Sequence, residues 1–189
     1  MHMTEAQTYS QNIKKQADLI LKKTQLVESL SRFGTVHIIG SYPMDLMYNP
    51  DIDIIVTSKD IRASSLKALE AILQKRICQK IEYGDFVKFK RVKRPAGYIM
   101  VLKIISKGVL WEVEIWFLPS AQKEEKFMEK VMQQLTPEKK KLILEFKHLI
   151  NQNHISKHQI SSSNIYRAVL EKNVTSFAAL LQQFPNVKK

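Results

Sequence analysis

Apolar positions in this chain change their spacing twice, and each change marks a switch between helix and strand. Over residues 4–31, Ile13, Ala17, Ile20, Leu21, Val27 and Leu30 recur at helical spacing with lysines between them. That period predicts one amphipathic helix closed by Phe33-Gly34. Thr35–Ile39 is short, apolar and rich in β-branched residues, as a buried strand is. Gly40-Ser41 then opens a turn, Pro43 starts a short helix and Asn49-Pro50 breaks it. Asp51–Val56 alternates into a second strand. Ser58 or Asp60 caps a helix running to about Arg76 with Leu66, Leu69, Ile72 and Leu73 inward. Lys80–Arg91, Tyr98–Ile105 and Val109–Leu118 read as strands, the last two joined by a tight turn at Ser106-Lys107-Gly108. Beyond Pro119 the period is helical again. One helix covers residues 121–135, and a second starts at Pro137 behind a Thr136 cap and runs to about Asn153. A last helix runs from Ser161-Ser162-Ser163 to about Phe184. Strands first and helices last predict an α+β fold: a mixed β-sheet, helices on one face, and a C-terminal helical annex. The expected division is 1–120 and 121–189.

Charge sharpens this picture. The 189 residues carry a formal net charge of +12, which points to an anionic partner such as a nucleotide or nucleic acid. No apolar stretch reaches the ~18–20 residues that span a bilayer, so no membrane partner is expected. The polar, amphipathic start has no secretory leader. Cys78 is the single cysteine, which rules out an internal disulfide and suits a reducing, cytoplasmic setting. It reads as a small buried apolar residue. One cysteine and five scattered histidines do not make a structural zinc site, and His154 and His158 have helical spacing but no supporting acid.

The candidate chemistry lies in the second strand. Ten residues after Ser41 come Asp51 and Asp53, alternating with Ile52 and Ile54. Alternation puts both acids on one face, roughly 6.5–7 Å apart. Two carboxylates so placed repel each other and can clamp a divalent cation. Trp111-Glu112-Val113-Glu114-Ile115-Trp116 repeats the arrangement and offers a third ligand or a general base in Glu112 or Glu114.

Gly-Ser, Asp-x-Asp and a later apolar-acid-apolar strand, in that order, resemble the nucleotidyltransferase superfamily of the DNA polymerase β type, here a small bacterial-type member. The resemblance covers roughly residues 33–118. It implies a nucleotidyltransferase-like sheet and transfer of a nucleoside monophosphate from an NTP to an acceptor, by two-metal in-line displacement. It implies that Gly40 and Ser41 hold the triphosphate, glycine permitting close backbone approach. It implies that Asp51, Asp53 and Glu114 are the catalytic and metal-binding acids, for Mg²⁺ or Mn²⁺. The third acid is usually Asp in this superfamily, and Glu112 competes with Glu114 for the place. The acceptor stays open among RNA, a small molecule and a protein.

Plainer readings stand beside these. Asp51 and Asp53 also fit a turn acid followed by an exposed strand acid, Ser41 a simple cap, and Glu112 a surface ion pair. Trp111 and Trp116 read as core. The run Lys88, Lys90, Arg91, Lys93, Arg94, with Phe89 and Val92 between, fits a phosphate-backbone contact or a charged edge strand. An inactive binding module of the same fold, for RNA or a partner protein, is the alternative to an enzyme.

Overall fold

The alternation of acids and aliphatics becomes the two faces of one sheet. The computed structural model describes residues 3–92 and 94–185. Among these, helices α1 (Glu5–Thr24) and α2 (Leu26–Leu30) precede strands β1 (Thr35–Ile39) and β2 (Asp51–Thr57). Helix α3 (Ile61–Lys75) leads to β3 (Lys80–Asp85), β4 (Tyr98–Ser106) and β5 (Val109–Leu118). Helices α4 (Gln122–Gln134), α5 (Pro137–Gln152), α6 (Ser162–Leu170) and α7 (Phe177–Gln182) follow. The strand order is β1-β2-β5-β4-β3; β2 and β5 run parallel and every other pair antiparallel.

One face of the sheet is the core. Ile52, Ile54 and Val56 of β2, Val113, Ile115 and Phe117 of β5, and Met100 and Leu102 of β4 pack there against α1, α2 and α3. Trp111 is fully buried among them. The opposite face carries Asp51, Asp53, Glu112 and Glu114 and a small cluster of Ile55, Ile99, Trp116 and Leu118. A second core joins α4–α7 to Met44, Leu46 and Tyr48, the residues leading into β2. The helical annex is thereby packed against the β1–β2 connection.

Several elements end earlier than the apolar period suggests. The first helix breaks at Gln25, whose backbone turns left-handed (φ 47), so α1 and α2 are separate. No helix starts at Pro43: residues 40–45 form turns, closed by Leu46 N–H donating to Ser41 O at 3.0 Å. Helix α3, capped by Asp60, buries Ser65, Ala68 and Ile72, whereas Leu66 and Leu73 are 47% and 57% exposed. Strand β3 stops at Asp85 because its carboxylate accepts from Val87 N and Lys88 N and bends the chain away. The last predicted helix is two, parted by a left-handed Asn173 (φ 52). His154 and His158 lie in turns, off any helix.

The β4–β5 hairpin has a two-residue turn with Lys107 and Gly108 both at positive φ (50° and 76°). Such a turn matches the twist of the flanking strands. Nothing lies within 4 Å of a side chain built on Gly108, so only backbone strain opposes one. Gly108→Ala is expected to lower stability by about 1–2 kcal/mol, read as an earlier urea midpoint.

Candidate active site

Strand register brings the acids together. In the parallel β2–β5 pair, Asp51 faces Glu112 and Asp53 faces Glu114. In the antiparallel β1–β2 pair, Ile39 faces Asp53, so Gly40 emerges beside that carboxylate. Gly40 has φ +75, and a Cβ there would collide with Asp53 Oδ2. Both facts demand glycine. Gly40→Ala is therefore expected to displace Asp53. The variant is expected to be about 1–2 kcal/mol less stable, unfolding at a lower urea concentration, with its circular dichroism spectrum unchanged.

A cavity of about 390 Å³ opens over these residues. Its floor is Gly40, Ser41, Asp51 and Asp53; α4 adds Lys123, Phe127 and Met128, α5 adds Lys147, and α6 adds Ser162, Ser163, Tyr166 and Arg167. A carboxylate floor thus faces a wall of three cations, one acid (Glu124) and several hydroxyls across a partly apolar space.

Burial dominates the electrostatics. It pushes the Asp53 carboxyl up to about 7, helped by the charges of Asp51 and Glu114. Burial also raises Asp51, against the pull of Lys147 and Lys157. Lys147 is only 6% exposed, and burial drives its ammonium down to about 8 while Asp51 and Asp53 hold it up. Its Nζ donates to Leu46 O at 2.6 Å and to Tyr166 Oη at 2.9 Å. Burial raises the Tyr166 phenol. Two desolvated acids and one desolvated lysine around a cavity are an unusual concentration of perturbed groups.

The two glutamates are occupied elsewhere. Glu112 is paired with Lys103 and, at 3.3 Å, with Lys157; the Lys103 contact holds its carboxyl below the usual range. Its ion-pair reading is the one realised. Glu114 Oε1 accepts from Trp116 Nε1 at 2.6 Å and from Arg94 Nη1 at 3.5 Å. Glu114 therefore stands next to Asp53 in the sheet, but its carboxylate is engaged away from the pair. Among the described residues no three His, Cys, Asp or Glu side chains are gathered to hold a metal ion. The expected three-acid set is thus assembled only as far as Asp51 and Asp53. Those two still fit a hard cation: they are oxygen donors on one face, lining a cavity, and Asp53 resists ionising without a positive charge.

Of the basic run, Lys88, Lys90, Arg91 and Arg94 lie in the loop after β3, and Lys93 falls outside the described residues. Phe89 and Val92 in the same loop are 65% and 90% exposed. The run is not an edge strand. Trp111 is core as expected; Trp116 is buried too, yet its indole N–H serves Glu114.

Lys147, Tyr166, Ser162, Ser163, Lys123 and Arg167 line the cavity without belonging to any motif of the sequence. Lys147 left a trace: Ile143, Phe146, Lys147 and Ile150 share the buried stripe of α5. A lysine on an apolar stripe is buried against a partner or it unfolds the helix from its support.

No protein-family model matches the chain. No curated protein matches it either. Among solved structures it is similar to a cytoplasmic RNA terminal U-transferase, with TM-score 0.60 and 17% identity over 88% of this chain and 53% of that one. It is similar to Cid1 in complex with the UTP analog UMPNPP, with TM-score 0.60 and 18% identity over 84% of this chain and 48% of that one. The polymerase core of TRAMP, an RNA surveillance complex, aligns with TM-score 0.53 and 16% identity over 95% of this chain and 63% of that one. The chain thus spans about half to under two thirds of those proteins' lengths. With its five-stranded mixed sheet, its Gly40-Ser41 turn beside Asp51 and Asp53, and these neighbours, the chain has the nucleotidyltransferase fold.

Proposed function

We propose that the cavity transfers a nucleoside monophosphate from an NTP to a hydroxyl at the end of an RNA strand. The observation that carries this reading is the pairing of Asp51 and Asp53 with the Gly40-Ser41 turn on one side of the cavity and buried Lys147 on the other. At about 390 Å³ the space is of nucleotide scale. RNA is favoured as acceptor because the fold's neighbours include an RNA terminal U-transferase, and because a basic loop borders Glu114.

In this reading Ser41 donates its hydroxyl, and Gly40 lets the backbone approach the phosphates closely. Lys147 Nζ, Arg167 and the hydroxyls of Ser162 and Ser163 neutralise and orient the triphosphate from the opposite wall. Phe127, Met128 and Met44 supply the apolar surface for the base. Asp51 and Asp53 would hold Mg²⁺ or Mn²⁺, with Glu114 as the third acid once released by Trp116 and Arg94. A divalent cation there supplies charge to the oxyanions that develop during in-line displacement. Reacting groups are kept in line by this clamp of two walls, and positioning of that kind carries much of the catalysis in phosphoryl-type transfer.

The test uses α-labelled ATP, CTP, GTP and UTP with Mg²⁺ or Mn²⁺ and one RNA in two forms, with a terminal 3′-hydroxyl and with a 3′-deoxy end. Label is expected only in the hydroxyl-bearing RNA and is expected to vanish when metal is chelated. Label in neither form with any NTP, while the folded protein is verified, overturns the reading.

A further inference from the structure

Resting on the reading above, we propose that Arg94 is a latch that holds Glu114 away from the acid pair until a single-stranded nucleic acid takes Arg94 for its own phosphates. Three observations carry it. Glu114 is the β5 residue in register with Asp53, so its place in the sheet is beside the pair. Its Oε1 is nevertheless claimed by two donors, Trp116 Nε1 at 2.6 Å and Arg94 Nη1 at 3.5 Å. Arg94 also lies over the Trp116 ring, 5.9 Å from its centroid, and so touches both the restrained acid and its other donor.

The loop bearing Arg94 is built to meet such a strand. It presents Lys88, Lys90 and Arg91 with the exposed rings and methyls of Phe89 and Val92, cations interleaved with apolar surface. Single strands bind by backbone contacts to cations and by stacking on aromatic faces. Arg94 is half-exposed and its contact with Glu114 is long, so a phosphate diester offering two oxygens competes well for the guanidinium. Loss of Arg94 removes the ion pair from Glu114 and leaves its hydrogen bond to Trp116. The carboxylate is then free to join Asp51 and Asp53. Arg94 acts here as a positioning residue, and it couples acceptor arrival to completion of the acid set.

The chain has two tryptophans, so two indole N–H resonances report the test by ¹⁵N NMR. Trp116→Phe assigns them. Trp111, fully buried, is the internal control for an intact core. The titration uses short oligouridylate in buffer with Mg²⁺ and no NTP, so that a cation is present to draw the released carboxylate, with binding followed in parallel by fluorescence anisotropy. In the wild type the Trp116 resonance is expected to move upfield as oligonucleotide binds, while Trp111 stays. In Arg94→Ala the Trp116 resonance is expected to start from a changed position and to respond several-fold less; Arg94→Lys should restore part of the response. In turnover, Arg94→Ala should raise the acceptor KM about 10-fold with kcat at saturating acceptor unchanged or higher, a contact being worth roughly one such factor. A Trp116 resonance that is unmoved while oligonucleotide binds overturns the latch and leaves the transferase reading standing. So does an equal response in Arg94→Ala. Label in neither RNA form with any NTP overturns the transferase reading instead, and the NMR titration is read without turnover.

Discussion

Asp53→Asn should abolish nucleotide transfer and, without metal, make the protein more stable at neutral pH and above. The two effects share one cause. Burial, Asp51 and Glu114 raise the Asp53 carboxyl from its ordinary 3.8 to about 7. The folded state therefore holds a proton that the unfolded chain has already released between those two values. Stability falls as pH rises through that window, and the full penalty is present above about 7. Its size is on the order of 4 kcal/mol. Asparagine keeps the shape and removes the charge, so urea midpoints measured from about pH 5 to about pH 8 in chelator should flatten and rise for the variant. On the proposed function, transfer should fall on the order of 10³-fold or more, because that carboxylate would hold a cation worth several kcal/mol of transition-state charge stabilisation. A structural acid would show the opposite stability change: its loss would unfold the protein or leave it unmoved.

The second large effect concerns Lys147. Its ammonium is driven by burial to about 8, below the ordinary 10.5, although Asp51 and Asp53 pull the other way. The folded state thus gives up a proton that the unfolded chain keeps between those values. The penalty on the charged form is complete below about 8 and is relieved as pH rises toward 10.5. In the proposed function that charge meets the triphosphate. Lys147→Met should raise the NTP KM by roughly 10–100-fold, the worth of a charge-assisted hydrogen bond in a dry site. The profile of kcat/KM for NTP reports free-enzyme groups, so the wild type should lose activity as pH rises through about 8. That alkaline limb should vanish in Lys147→Met. Stability should fall as well, since Leu46 O and Tyr166 Oη lose their donor and Asp51 and Asp53 lose a neighbouring positive charge, so a native circular dichroism spectrum at the assay temperature is the control.

The strands were legible because their signal is local. Thr35–Ile39 and Val109–Leu118 coincide with β1 and β5, and the acid–aliphatic alternation at Asp51–Val56 places both aspartates on one face as period-two geometry requires. The parallel pairing of β2 with β5 was not legible. Its two strands are separated by α3, β3 and β4, and nothing local encodes that Asp53 should stand opposite Glu114. The helix interruption at Gln25 leaves no local mark, because glutamine is not a residue that favours the left-handed conformation it adopts there, whereas Asn173 is of a type that enters that region readily. Alternation alone places Trp116 on the face of Glu114, but whether its indole would seize the carboxylate depended on Arg94 folding back over the ring. Nothing in the sequence of the helical annex marks it as part of a pocket. Yet it supplies the wall of one, through residues of α4, α5 and α6 whose side chains meet β2 only in three dimensions.

The central claim is that Asp51 and Asp53 receive a divalent cation together with a nucleotide's phosphates in this cavity. Isothermal titration of a non-hydrolysable NTP analogue, with Mn²⁺ and with chelator, into the wild type and into Asp51→Asn and Asp53→Asn tests it most directly. The wild type should bind the analogue only with Mn²⁺, and each variant should lose that Mn²⁺-dependent binding while keeping a native circular dichroism spectrum. Equal binding by all three proteins, or wild-type binding indifferent to the cation, would contradict it.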